Sequence, residues 1–293
     1  MTTAVAAPAV RPLLAEAVAR LTAAALPTAR QDAEWLMAAV LGLERFALYL
    51  DPAQSVAPPA AERIRALVER RAGHEPLQHL LGFEDFRGLR LRVTPDVLIP
   101  RPETEGLVEW ALELASGMSA VLTADVGTGS GAIACALASA RPDLRVLATD
   151  ASPAALAVAA ENVRGLGLED RVRLLVGDLL APLGTAGGPL DLIVANLPYL
   201  ASGVIPTLPR EVRDFEPHAA LDGGADGLQA LRRLVTTAPP ALRPGGWLVL
   251  EIGEDQAGAL ASLMAAEGLV DIAARRDLRG AERYVAGRRE GRR

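Results

Sequence analysis

The sequence predicts an α/β fold with a mostly parallel sheet, preceded by a separate helical bundle. Three observations carry that expectation. From about Val121 onward, short apolar runs alternate with alanine-rich helical stretches, the pattern of strands joined by crossover helices. The candidate strands end at Asp125, Asp150, Asp178, Asn196 and Gly253, and sheets of this kind bind ligands beyond the carboxyl ends of their strands. Up to about Gly73, apolar residues recur instead at helical spacing.

A chain of 293 residues exceeds one typical domain. The expected division is a helical domain over 1–74, a linker with a β-hairpin over 75–102, and the α/β domain over 103–293. In the first part, Leu13, Leu14, Ala17, Val18 and Leu21 follow Pro12 as one apolar stripe. Thr28 and Gln31 have capping-box spacing ahead of Trp35, Leu36, Ala39, Val40 and Leu43. Ile64, Leu67 and Val68 give a third stripe. The hairpin is expected from Phe83-Glu84-Asp85-Phe86 and the alternating run Leu89–Val93, which flank Arg87-Gly88. Pro102 then suits a helix start, with Glu103 and Glu105 in the first turn and Leu107, Val108, Ala111, Leu112 and Ala115 on the apolar face. Near the end, Leu269–Ile272 and Glu282–Ala286 are expected to close the sheet as an antiparallel pair.

Composition narrows the function. Hydrophobic residues make up 51% of the chain, much of it alanine, which suits soluble helices. The longest uncharged stretch, Leu192 to Pro209, contains Asn196, Pro198 and Pro206, so no membrane-spanning helix is expected. Pro8 and Pro12 interrupt the start, which lacks the form of a signal peptide. Cytoplasmic location follows as the expectation. Cys135 is the single cysteine, which excludes a disulfide framework, and the three histidines lack metal-ligand spacing; no metal is expected. A net charge of −6 with 3% aromatics argues against direct nucleic-acid binding. All 30 basic residues are arginine, which removes lysine-dependent P-loop, kinase and pyridoxal chemistry.

Two segments carry the chemistry. In the first, Gly127, Gly129 and Gly131, with Thr128 and Ser130 between them, follow a strand and precede a helix. Such a loop turns tightly and lets a ligand approach its backbone. Asp150 at the next strand end can accept both hydroxyls of a ribose. Asp178, followed by Leu179, is placed to accept from an adenine amino group, and Asp125 precedes the loop. In the second segment, Asn196-Leu197-Pro198-Tyr199 follows the apolar run Leu190–Ala195. A nucleoside site beside an amide-holding corner points to methyl transfer from S-adenosyl-L-methionine onto a planar nitrogen, with S-adenosyl-L-homocysteine as product.

The motif Asn196-Leu197-Pro198-Tyr199 resembles the Asn-Pro-Pro-Tyr motif of methyltransferases acting on planar nitrogens. The wider chain resembles the HemK/PrmC family. The resemblance includes Glu75-Pro76-Leu77-Gln78-His79, Phe86-Arg87-Gly88 and Leu98-Ile99-Pro100-Arg101-Pro102-Glu103-Thr104-Glu105. It continues through Asp125–Gly131, Asp150, Asn196–Tyr199, Phe215-Glu216-Pro217, Asp222–Leu228 and Glu282-Arg283. The segment from Ile99 to Glu105 is the most specific part. This resemblance implies a class I, Rossmann-like seven-stranded methyltransferase domain behind a helical substrate-recognition domain. It also implies methylation of the glutamine in the Gly-Gly-Gln motif of class I peptide chain release factors, by a monomer. The Asn196 side chain and the Leu197 carbonyl would hold the substrate amide, Tyr199 would wall the pocket, and Asp125 would order the loop and the ligand's amino end. Pro100, Arg101 and Glu103 would border the site. Leu197 stands where the family has its first proline; Pro198 still restricts it. Alternatives are a ribosomal-protein glutamine methyltransferase, a nucleic-acid adenine methyltransferase and a non-enzymatic cofactor-binding module.

Overall fold

The computed structural model describes residues 7–184 and 188–291. It divides into two compact units: the chain up to Gly82 with Pro209–Phe215, and Phe83–Leu208 with Glu216–Arg293.

The first unit is a bundle of α1 (Val10–Ala23), α2 (Ala29–Leu41), α3 (Pro58–Ala72) and the short α4 (Leu77–Leu81). The predicted stripes meet in one core containing Leu13, Leu21, Leu36, Met37 and Ile64. The expected capping box does not form. Thr28 sits at the start of α2 but caps no backbone group; its hydroxyl donates to Asp32 at 2.9 Å. Asp32 also holds the buried Arg71 guanidinium at 2.8 Å, and Thr28 has a ψ of 17° rather than the extended value of a capping residue. Arg71 reaches Glu211 at 2.9 Å, which ties the returning segment Pro209–Phe215 into this unit.

The second unit opens with the hairpin β1 (Phe83–Phe86) and β2 (Leu89–Arg92), paired antiparallel. Arg87 and Gly88 both have positive φ, 48° and 75°, the two-residue turn whose twist matches that of the strands. Phe86 and Leu91 are buried in the core of this unit. Where the sequence suggests a linker over 75–102, Leu77, Leu80 and Leu81 thus pack on the bundle core and the hairpin packs on the sheet. α5 (Pro102–Leu114), α6 (Ala132–Ala140) and α7 (Pro153–Gly165) follow, interleaved with strands.

Among the described residues, seven strands form one sheet in the order β5-β4-β3-β6-β7-β9-β8. They are β3 (Leu122–Val126), β4 (Arg145–Asp150), β5 (Val172–Val176), β6 (Leu190–Ala195), β7 (Leu242–Glu251), β8 (Leu269–Arg276) and β9 (Glu282–Arg289). β3 to β7 run parallel, and β9 is antiparallel to both β7 and β8. The expected closing pair therefore forms, with longer strands than the sequence suggested. Three strand ends fall short of their expected positions, β6 by one residue at Ala195. β5 stops at Val176, because Gly177 and Leu179 take positive φ and turn the chain before and after Asp178. β7 stops at Glu251 rather than Gly253. Strand order reverses between β3 and β6, the switch point where such sheets leave a crevice.

Candidate active site

At that switch point lies a cavity of about 360 Å³, within the range of small-molecule sites. Gly127, Thr128, Gly129, Ser130 and Asp150 line one side, continued by Asp178 and Leu179. Pro100, Arg101, Thr104, Asn196, Leu197 and Pro198 line the other. Asp125, Gly131 and Tyr199 do not reach the wall.

The glycine side is held by local backbone geometry. Gly127, Gly129 and Gly131 have φ of 74°, 55° and 81°, conformations that disfavour any side chain. At Gly127 space is also needed, since a Cβ there would lie 2.7 Å from Leu197 Cδ2. Gly129 N–H and Ser152 N–H each donate to one oxygen of Asp150, both at 2.8 Å. Each carboxylate oxygen keeps a further lone pair for a ligand. Asp178 forms an ion pair with Arg233, and both residues line the cavity. Thr149 Oγ1 donates to the Leu179 carbonyl at 2.8 Å, which fixes that corner.

Asp125 orders this loop from behind. Its Oδ2 accepts from Thr128 Oγ1 at 2.6 Å and Ala134 N–H at 3.0 Å. Its Oδ1 has no partner among the described residues. Full burial pushes its pKa up to about 7, against the pull of those two donors.

The opposite side depends on distant segments. Asn196 follows β6, and its Nδ2 donates to Thr104 Oγ1 at 3.1 Å. This leaves Oδ1 as the acceptor end of the carboxamide, on a residue of the cavity wall. Leu197 is buried against Gly127. Tyr199, expected to wall the pocket, turns instead toward Glu251, its hydroxyl 3.5 Å from Oε1. Burial, reinforced by the nearby Glu251 carboxylate, pushes the Tyr199 phenol up to about 12.

Several residues that the sequence did not single out hold this corner. Gln256 Nε2 donates to the Tyr199 carbonyl at 2.9 Å. Gly223 and Gly227 press on the same loop: a Cβ would stand 2.6 Å from the Pro198 oxygen and 2.2 Å from the Tyr199 oxygen, respectively. These contacts fix the backbone that the family's first proline would otherwise restrict. Glu216, nearly buried, accepts from Ile99 N–H at 3.1 Å and pairs with Arg101 at 2.5 Å. Glu103 lies off the cavity; its carbonyl accepts the Tyr284 hydroxyl and its carboxylate faces Arg279. Thr104, Glu216, Gly223 and Gly227 fall inside the quoted segments, but nothing in their spacing marks a role. A carboxylate interrupting the apolar run Trp247–Ile252 was the available signal for Glu251.

Comparison with known proteins identifies the family. Residues 12–82 match the PrmC N-terminal domain family and residues 123–215 the Methyltransferase domain family. Over 258 residues the chain is 50% identical to the release factor glutamine methyltransferase of Moorella thermoacetica, spanning 88% of this chain and 90% of that protein. Its counterpart in Geobacter sulfurreducens is 45% identical over 260 residues, 89% of each chain. The solved catalytic domain of hMettl16, in complex with the MAT2A 3'UTR hairpin 1, superposes with a TM-score of 0.58 at 18% identity. It covers 81% of this chain and 84% of that one, a likeness of fold alone. Identity of the extent seen with the two bacterial enzymes, sustained through both units, goes beyond fold: the chain belongs to the family of release factor glutamine methyltransferases.

Proposed function

We propose that this protein transfers a methyl group from S-adenosyl-L-methionine to the side-chain amide nitrogen of the glutamine in the Gly-Gly-Gln motif of class I peptide chain release factors. The observation that carries the reading is the hydrogen bond from Asn196 Nδ2 to Thr104. It leaves the asparagine oxygen as an acceptor beside a glycine loop suited to a nucleoside.

The residues present fit the cofactor. The backbone of Gly127–Gly131 is open to close approach, Asp150 keeps lone pairs that would take paired ribose hydroxyls, and Asp178, on the cavity wall, would accept from an exocyclic amine. When bound, S-adenosyl-L-methionine supplies a methyl group activated by a positively charged sulfur. Asn196 Oδ1 and the Leu197 carbonyl then act on the substrate. An amide nitrogen is a weak nucleophile because its lone pair is delocalised into the carbonyl. Two acceptors on its two N–H groups fix its position and favour the positive charge that grows on nitrogen. The surplus proton leaves to water afterwards, since an N-protonated amide is a strong acid and needs no dedicated base.

The helical unit is assigned to release factor recognition. Its 3-10 turn Arg45–Tyr49 and the residue after it expose Phe46, Tyr49 and Leu50, apolar groups of the kind that anchor protein partners. The net charge of −6 favours a protein acceptor over nucleic acid. No helix of the described residues is long and apolar enough to cross a membrane, and the reading places a monomer in the cytoplasm with the translation machinery.

The test is methyl transfer from labelled cofactor to release factor, ribosomal protein or DNA. Label should appear on the release factor glutamine and disappear with Asn196→Ala, while calorimetric cofactor affinity persists. Label on either of the other acceptors alone sinks the reading.

A further inference from the structure

A carboxylate sealed behind the acceptor corner has no part in the chemistry above. Glu251 ends β7 and is 1% exposed. Its Oε2 has no hydrogen-bond partner among the described residues, and its Oε1 takes the Tyr199 hydroxyl at a long 3.5 Å. A buried carboxyl so poorly partnered is costly and needs a reason. Thr104 supplies one. Its hydroxyl adjoins Glu251 and favours the ionised form, while its oxygen accepts Asn196 Nδ2 at 3.1 Å.

The consequence follows from donor and acceptor inventory. A hydroxyl has one hydrogen to donate, and an ionised carboxylate can only accept. Glu251 therefore draws the Thr104 hydrogen to itself. Toward Asn196, Thr104 then presents lone pairs alone, and Asn196 must answer with its NH2 group. Without that demand the two flips of a carboxamide differ little in shape. The flipped form would set NH2 against the substrate's own NH2, donor against donor.

We propose that Thr104 and Glu251 are positioning residues, a relay of hydrogen-bond polarity that locks the Asn196 carboxamide with its oxygen toward the glutamine nitrogen. The proposal rests on the reading of Asn196 as the acceptor for the substrate amide. The groups facing Glu251 set when the relay is ordered. Arg283 on β9 and the Tyr199 hydroxyl favour its ionised form, and Glu103 at the start of α5 opposes it. Tyr284, opposite Glu251 in the β7–β9 register, gives its hydroxyl to the Glu103 carbonyl. Burial is the largest influence and pushes Glu251 up to about 7. The relay is thus ordered above that pH and loses its polarity below it.

Steady-state kinetics of the full chain on a release factor test this, with Asn196→Ala as reference. Thr104→Val and Glu251→Gln should each lower kcat roughly 10- to 100-fold, while calorimetric cofactor affinity stays within about twofold. Thr104→Ser, which keeps the hydroxyl, should stay within about threefold of the parent kcat. The parent kcat should fall on the acid side of about pH 7, and Glu251→Gln should run low and flat across that pH. A Thr104→Val enzyme within about twofold of the parent overturns the relay. So does a Thr104→Ser loss as deep as that of Thr104→Val, or an acid limb that persists unchanged in Glu251→Gln. Activity surviving in Asn196→Ala would overturn the acceptor reading and the relay together. Inactive Asn196→Ala beside fully active Thr104→Val removes the relay alone.

Discussion

The two sides of the cavity are assembled on different scales of sequence. On the cofactor side, Thr128 bonds Asp125 three residues away, Ser152 bonds Asp150 two away, and Gly129 bonds Asp150 across 21. On the acceptor side, Asn196 bonds Thr104 across 92 residues, Gln256 bonds Tyr199 across 57, and Arg101 bonds Glu216 across 115. A nucleoside can be cradled by turns that one loop and one strand end provide. Gripping both hydrogens of an amide requires acceptors aimed from a fixed backbone, and here four separate segments fix it. Damage to the first side should stay local, and damage to the second should spread.

The largest expected contrast lies between two glycines. Gly227 has φ of 76°, and a Cβ would stand 2.2 Å from the Tyr199 oxygen and 2.7 Å from Gln256 Nε2. A backbone carbonyl cannot yield that distance, so Gly227→Ala should cost roughly 2–4 kcal/mol and cut turnover at least ~100-fold. Gly129 has φ of 55° with nothing within 4 Å. Gly129→Ala meets only the backbone preference, about 1–2 kcal/mol, and should weaken cofactor binding first. Thermal denaturation of both proteins decides the matter; a costlier Gly129→Ala would break the contrast.

Next in size are two carboxylates, one from each side. Glu216→Ala strands the buried Ile99 N–H and releases Arg101, whose side chain is partly solvated and can recover water contacts. The expected cost is about 1–3 kcal/mol, with KM for the release factor up ~10-fold and cofactor affinity unchanged. Asp150→Ala should do the reverse: cofactor affinity down roughly 10- to 100-fold by calorimetry, and KM for the release factor steady. The double variant should be additive, because the pairs share no partner. A strong coupling energy would show that the two sides form one network.

A contrast in pH rather than in sequence comes from the buried carboxyl that each side carries. Asp125 and Glu251 are both pushed up by burial to about 7, from ordinary values of 3.8 and 4.5. Over that interval the folded protein holds protons that the unfolded chain has already released. Stability therefore declines as pH rises from about 4 to about 7 and levels off above it. The midpoint of thermal unfolding should sit lower at about pH 8 than at about pH 5. Asp125→Asn and Glu251→Gln should each flatten part of that slope, and a slope unmoved by either would assign it elsewhere.

What could be read in the sequence divides along the same line. The glycine loop, the Arg87-Gly88 turn and the alternation of strands and helices were legible because residue type alone limits backbone shape there. Asp150 was legible because a strand end fixes where its carboxylate goes. The side-chain partners were not. Thr28 and Gln31 had capping-box spacing, but Thr28 takes a ψ of 17°, off the extended shape of a cap, and gives its hydrogen to Asp32, which Arg71 holds from 39 residues away. Tyr199 was expected to wall the pocket as the last residue of the resembling motif, yet the end of β7 gives it a buried carboxylate to face. Spacing says which residues are near one another along the chain; it does not say which distant donor a buried acceptor will meet.

The smallest expected effect restores the family's motif. In Leu197→Pro the Cδ2 contact with Gly127 is lost, costing about 1 kcal/mol for the reduced packing. The new ring restricts the unfolded chain by a comparable amount, roughly 0.4–1 kcal/mol. The carbonyl offered to the substrate is unchanged, and Gln256, Gly223 and Gly227 already hold the backbone around it. Turnover should therefore stay within about threefold and stability within about 1 kcal/mol of the parent. A gain of ~10-fold or more would mean that the loop still samples other shapes, and that the distant segments position the acceptor corner less firmly than local geometry holds the cofactor side.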